Sequence, residues 1–282
     1  MCSSPWWRSG LRSRSLVAFL AAVCITAIGA AAGPASAGAS APHWVEPGAA
    51  VTISDVHCKV GLLLHQGKKV YAAVPASCTA LPNDEGTTQW GCVNRPPKHP
   101  QAAAMAPIGS PAKIAGAKRP VTLVYDSFAQ MQLSGEHHAN KCFYNDLALL
   151  KLKPVDAMAA RGEIPGTQSP SHISQRGPAS GSHLSDGQQS ATAGSTAHRG
   201  WLYQLSSSPT FTASDIGTPF VQGGRLFGML TQLPQSKDVV LKTDAGISNL
   251  HRALRLLRKS PPSRFHHLSF RHVKLLRAGQ RA

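Results

Sequence analysis

The sequence predicts an all-β protein with one C-terminal helix, and three observations predict it. Short apolar runs, several of them alternating and bounded by Gly, Pro or Asn, recur along most of the chain. Only one segment, Leu250 to Leu257, spaces its apolar residues as a helix does. The strand signals fall into two sets, separated by a stretch from Gly166 to Gly200 rich in Ser, Gly, Gln and His, with Ile173 and Leu184 almost its only large aliphatic residues. Such a stretch buries too little apolar surface to offset its ordering entropy, so it is expected to be a mobile linker or long surface loop.

Residues 38–50 have little pattern and read as an arm leading into the fold. Val60 to Leu64 and Lys69 to Val74 then read as two strands of a hairpin, with Gly67 in the turn. Residues 95–120, rich in Pro, Ala and Lys, read as loop. Val121 to Tyr125 and Leu147 to Leu152 are further strands, the second stopped by Pro154. In the second set the strands are Trp201 to Leu205, Thr218 to Val221, Arg225 to Leu230 after the Gly223-Gly224 turn, and Val239 to Leu241. Ser248 is the expected cap of the helix, whose buried face is Leu250, Ala253, Leu254 and Leu257, and Pro261-Pro262 ends it.

The N-terminus carries an address. Arg8, Arg12 and Arg14 precede an apolar and small-residue run from Leu16 to Ala32, and Ala35-Ser36-Ala37 follows as a cleavage site. Residues 1–37 are thus expected to be a signal peptide cut after Ala37, and the mature chain to lie outside the cytoplasm. Four cysteines then remain, Cys58, Cys78, Cys92 and Cys142, an even number in an oxidising compartment. Spacing alone leaves all three pairings open. Charge is uneven: residues 38–250 hold 17 Lys and Arg against 13 Asp and Glu, whereas residues 251–282 hold nine and no acid. The excess sits in a basic tail, residues 258–282, which makes nucleic acid an unfavoured partner for the globular part.

Three ordered segments resemble landmarks of the trypsin-like (chymotrypsin-fold) serine proteases. In that family a Cys precedes the first hairpin, and a Thr-Ala-Gly-His-Cys turn after it carries the catalytic His and the partner Cys. Here Cys58 stands before the hairpin, the turn reads Val74-Pro75-Ala76-Ser77-Cys78, and Ser77 has the histidine's place. The family's strand Asp-Ile-Ala-Leu-Leu-Lys-Leu is matched by Asp146-Leu147-Ala148-Leu149-Leu150-Lys151-Leu152. Its nucleophile loop, Gly-Asp-Ser-Gly-Gly-Pro, is matched by Ser214-Asp215-Ile216-Gly217-Thr218-Pro219, so that Ile216 has the serine's place and Ser214 that of an oxyanion-hole glycine.

The resemblance implies two six-stranded antiparallel barrels, residues 51–165 and 201–257, the second including the C-terminal helix. Strand signals are few after Gly200, so that barrel is expected to be incomplete or to recruit strands from the linker region. It also implies a Cys58–Cys78 disulfide; Cys92 and Cys142 have no partner in the family's pattern, and pairing with each other is the choice that then remains.

The departures bear on chemistry. A triad needs a hydroxyl nucleophile, an imidazole base and a carboxylate that orients it. Isoleucine has no lone pair with which to attack a carbonyl, and a serine at position 77 cannot act as a base near neutral pH. Asp146 is left to hydrogen-bond Ser77 or nearby amides. His57, His65, His137 and His138 lie near the matched segments, but sequence assembles no base with a nucleophile from them. Adjacent pairs such as His137-His138 lack chelate spacing, so no metal or other cofactor is expected. The chain therefore reads as an exported pseudoprotease, expected to be monomeric, that binds a peptide, protein or envelope component without cleaving it. A serine endopeptidase with a rearranged site is the alternative.

A third reading rests on the tail. As a helix, residues 264–281 would place Arg264, Arg271, Lys274, Arg277 and Arg281 on one side and Phe265, Leu268, Val273, Leu275 and Leu276 broadly opposite, with Phe270 out of place. That layout suits an anionic membrane surface or a cell-wall polyanion; the same residues read equally as a disordered basic extension.

Overall fold

The computed structural model describes residues 44–80, 105–207, 210–233, 245–259 and 269–280. Residues 1–37, Cys92, the strand expected at Val239 to Leu241, and Arg264 and Arg281 of the tail lie outside them. Seven strands come first: β1 (Ala50–Ile53), β2 (Val56–Lys59), β3 (Leu62–Gln66), β4 (Lys69–Val74), β5 (Pro111–Ile114), β6 (Val121–Asp126) and β7 (Ala148–Lys151). Seven more follow: β8 (His172–Ile173), β9 (His183–Ser185), β10 (Ser190–Ala197), β11 (Leu202–Ser207), β12 (Pro219–Gln222), β13 (Arg225–Gln232) and β14 (Gly246–Ser248). A last one, β15 (Lys274–Leu275), lies in the tail.

The first sheet is open and curled, in the order β15-β3-β4-β7-β6-β5-β1-β2. Its β2 end and the β3 strand are joined by only Val60 and Gly61, which face different neighbours. Val60 N–H donates to Ala49 C=O (2.9 Å) and Gly61 N–H to Ala73 C=O (2.8 Å), so one kinked run of chain serves both ends of the curl. The kink lies close against the second sheet: a Cβ on Gly61 would stand 2.0 Å from Met229 Sδ, so a larger residue there would need that side chain to move.

The second sheet is a closed antiparallel barrel, β12-β9-β10-β11-β14-β13, sealed by β12 pairing with β13. Strand β8 adds to β13 in parallel. Strands β8, β9 and β10 all come from the segment expected to be linker or loop, so that expectation is corrected and the second barrel is completed by recruitment. The segment carries few apolar side chains because a barrel strand needs only its inward positions filled: Leu184, Ala191 and Ala193 supply them, and the outward Ser and Thr remain polar.

Three apolar cores follow from strand alternation. Leu63, Val70, Ala72 and Val74 point into the first sheet's curl, and Leu62, Leu64, Tyr71 and Ala73 point the other way. The second group packs with Leu226 and Met229 of β13, which explains why β3 and β4 are apolar on both faces. The third core fills the second barrel, around Leu205, Phe220, Phe227, Leu230 and Ile247.

Among the described residues there are four α-helices: α1 (Ser127–Ser134), α2 (Ala139–Tyr144), α3 (Pro154–Met158) and α4 (Leu250–Lys259). The first three were not expected, being a few turns at most. The last buries the expected face, Leu250, Ala253, Leu254 and Leu257. Its cap is one residue later than expected: Ser248 ends β14, and Asn249 Oδ1 accepts from Arg252 N–H (3.0 Å). Strand β5 likewise lies in the stretch read as loop.

The tail corrects a further expectation. Over residues 269–280 it forms a turn and the short strand β15, paired antiparallel with β3, rather than a helix. Phe270, the residue out of place on the helical projection, is its anchor. Its ring meets Tyr71 and Tyr125 edge-on at 5.6 and 5.7 Å, and Val273 and Leu276 are buried with it.

Candidate functional site

The segments carrying the family landmarks converge. Ser77 lies in a 3₁₀ turn, Ala76–Thr79, directly after β4. Asp146 lies just before β7, and Ile216 just after a second 3₁₀ turn, Ala213–Asp215. Together with Ser214 and His57 they line one cleft of about 820 Å³, whose other walls include Val56, Ala80, Phe143, Tyr144 and Leu233. The Cys58–Cys78 disulfide, spanning 20 residues, fixes β2 against the turn that carries Ser77. Cys142 is also disulfide-bonded.

At the imidazole's place, Ser77 uses both of its donors on the carboxylate. Its backbone N–H donates to Asp146 Oδ1 (2.8 Å) and its hydroxyl to Oδ2 (3.0 Å). Asp146 is buried, and burial pushes its carboxyl up to about 7 against the pull of the two Ser77 hydrogen bonds. The negative charge of Asp126 adds to the rise. Asp126 is a second buried carboxylate, which the sequence reading missed. It caps α1 by accepting from the N–H groups of Phe128 (2.8 Å) and Ala129 (3.0 Å), and it accepts the Thr79 hydroxyl. Burial raises it to about 6. The signal for it was present as an Asp directly before Ser127-Phe128-Ala129, with Gly135 closing the helix in a left-handed conformation.

At the nucleophile's place the loop is wound tightly and held on β2. Ile216 N–H donates to Ala213 C=O (3.3 Å) and Asp215 N–H to Thr212 C=O (3.0 Å). Lys59 fastens the loop twice: its N–H donates to Ile216 C=O (2.7 Å), and its ammonium pairs with Asp215 Oδ1 at 2.9 Å. Burial works to raise the Asp215 carboxyl, and the hydrogen bonds from Lys59 and Thr212 outweigh it and hold the group below its usual value. Gly217 follows at φ +98°, with Lys59 C=O only 2.0 Å from where a Cβ would stand. The Ile216 side chain packs against the cores of both sheets.

An oxyanion hole needs free backbone N–H groups aimed at the reacting oxygen. The Ile216 N–H is already bonded within its own turn, and Ser214 has a side chain where the family has none. The hydroxyl of Ser214 bonds Thr212 Oγ1 (2.8 Å), and His57 Nδ1 is bonded to Thr52 Oγ1 (3.2 Å). Among the described residues no histidine is hydrogen-bonded to a serine in this cleft. His137 and His138 do not line it; their N–H groups donate to Glu136 Oε1 at 3.1 and 3.0 Å. His65 is likewise elsewhere, in a pocket beside the tail.

The aromatic wall was also missed. Phe143 is 54% exposed, and Tyr144 stacks on His198 of the β10–β11 connection with ring centroids 3.9 Å apart. Both directly precede Asn145-Asp146, so the matched strand marked their neighbourhood in sequence but not their role.

No protein-family model matches the chain, and no curated protein sequence does. Among solved structures it is similar to Thermobifida fusca Protease A, with 12% identity and a TM-score of 0.46 over 75% of this chain and 96% of that one. It is similar also to the Nocardiopsis protease NAPase, at 13% identity and a TM-score of 0.44 over 75% and 96%. A third is Cellulomonas bogoriensis chymotrypsin, at 12% and 0.41 over 75% and 96%. At these identities the likeness assigns no residue of this chain a role.

Proposed function

We propose that this chain is an exported pseudoprotease of the trypsin-like type that holds a peptide or protein segment in the cleft without cleaving it. The observation that carries the reading is the use of Asp146: each carboxylate oxygen accepts from Ser77, and among the described residues no histidine of the cleft, His57 included, is hydrogen-bonded to a serine. Hydrolysis requires nucleophile, base and oxyanion donors to act together, and losing nucleophile or base alone costs on the order of a millionfold in turnover. Here the nucleophile and base positions hold residues that cannot serve, and one oxyanion donor is bonded inside its own turn.

Binding is supported by the character of the cleft. Its volume lies in the range of ligand sites, and an exposed phenylalanine and a stacked tyrosine form part of its wall. Gln232 also lines the cleft, and its buried Oε1 has no hydrogen-bond partner among the described residues.

The test is retention of peptides from a randomised library, read by mass spectrometry, with Ser214→Trp as an obstructing variant at an exposed position in the cleft. Peptides should be retained intact by the wild-type chain and lost from the variant. Cleaved peptides would instead favour a rearranged serine endopeptidase, and equal retention by both chains would remove the cleft as the binding site.

A further inference from the structure

A second pocket, of about 700 Å³, shares no lining residue with the cleft. It lies where β3, β8, α4 and the docked tail meet, and its walls include His65, His172, His251, Arg258, Lys274 and Arg277. Among the described residues no Asp or Glu lines it, and at its rim Glu163 Oε1 accepts from Gly279 N–H (3.3 Å). Three of those side chains are cationic, and three are imidazoles whose ring N–H groups can donate to an anion.

None of these side chains is in an ion pair among the described residues. Among the described residues the ion pairs are Lys59 with Asp215 and Lys141 with Glu136, and neither touches the pocket. Arg258 uses one guanidinium N–H on Val273 C=O (3.0 Å), which ties the tail to α4 and leaves most of its donor fork free of that bond. His251 is held below the usual imidazole value, first by burial and then by Arg255 and Arg258. Like charges gathered in a concavity cost free energy unless an anion joins them, and concave low-dielectric walls focus the field they make.

The tail is what completes this arrangement. Burial of Phe270, Val273 and Leu276 sets β15 on β3, which brings Lys274 and Arg277 beside His65, with Gln280 Nε2 and His65 Nε2 3.3 Å apart. We propose that the pocket binds a compact, multiply charged anion of the phosphate class, either a free polyphosphate or the phosphate end of an envelope lipid. Its size suits one such group rather than a long polymer lying flat, and guanidinium forks match phosphate oxygens in pairs.

The test is calorimetric titration of the purified chain with pyrophosphate at about 150 mM salt, where diffuse surface attraction is largely screened. Saturable one-to-one binding is expected, weakened at least about tenfold in Lys274→Gln/Arg277→Gln, whose altered side chains are exposed. The charge-matched pair Lys113→Gln/Arg271→Gln, outside the pocket, should bind within about twofold of wild type. Co-sedimentation with phosphatidylglycerol vesicles separates the sources. Sedimentation that pyrophosphate abolishes assigns the lipid phosphate, and no sedimentation assigns the free anion. Absence of pyrophosphate binding, equal weakening in both variant pairs, or sedimentation that pyrophosphate leaves unchanged would overturn the proposal.

Discussion

Asp146 and Asp126 are each nearly free of solvent contact, and neither faces a cation among the described residues. Their native carboxyls are raised, to about 7 and about 6, from a value of 3.8. A raised carboxyl binds its proton more tightly in the folded chain than in the unfolded one between those values. Stability is therefore greatest at acid pH within this window and falls as pH rises from about 4 through 7. Thermal melts should show the midpoint dropping between pH 5 and pH 8, against the usual behaviour of paired carboxylates. Asp146→Asn keeps an acceptor for the Ser77 N–H and removes the charge, so it should raise the midpoint at pH 8 by about 3 °C and flatten the pH dependence. A wild-type midpoint that climbs from pH 5 to pH 8 would contradict this description of the two residues.

At the scale of elements, the tail is a structural part of the first sheet. Phe270 fills the space between Tyr71 and Tyr125, so Phe270→Ala should cost about 3 kcal/mol and lower the melting midpoint by roughly 9 °C, whereas Arg271→Gln beside it should change neither. A wild-type midpoint in the alanine variant would mean that the tail is not docked in solution. Nothing in the sequence pattern marked this strand. It is two residues long, and its anchors are spaced three apart, a spacing that equally suits a helix face. The hairpin of β3 and β4 and the strands β6, β7, β12 and β13 were legible because each carries its own apolar run and turn. Strands β9 and β10 were not, since one leucine, Leu184, and the alanines Ala191 and Ala193 are their inward apolar residues and the outward ones are polar, which is close to the composition of a loop. Helix α4 was legible from four apolar positions on one face; α1, whose signal lies in its caps Asp126 and Gly135, was not expected.

At the scale of the whole molecule, the two-barrel architecture was legible in three short segments, and those same segments meet at the cleft. Their order along the chain carried that information, because a cysteine pair, a buried carboxylate strand and a glycine-containing loop each constrain where the others can lie. What lay beyond the sequence was the state of the loop: that the Ile216 N–H turns back to Ala213, and that Lys59 locks Asp215, are facts of conformation. So is the convergence of six basic side chains from four elements in the second pocket. The central claim is that the cleft has no working nucleophile, and the most direct measurement is the intact mass of the purified chain after prolonged exposure to a fluorophosphonate. The account predicts an unchanged mass; a single adduct on a cleft serine, Ser77 or Ser214, would contradict it.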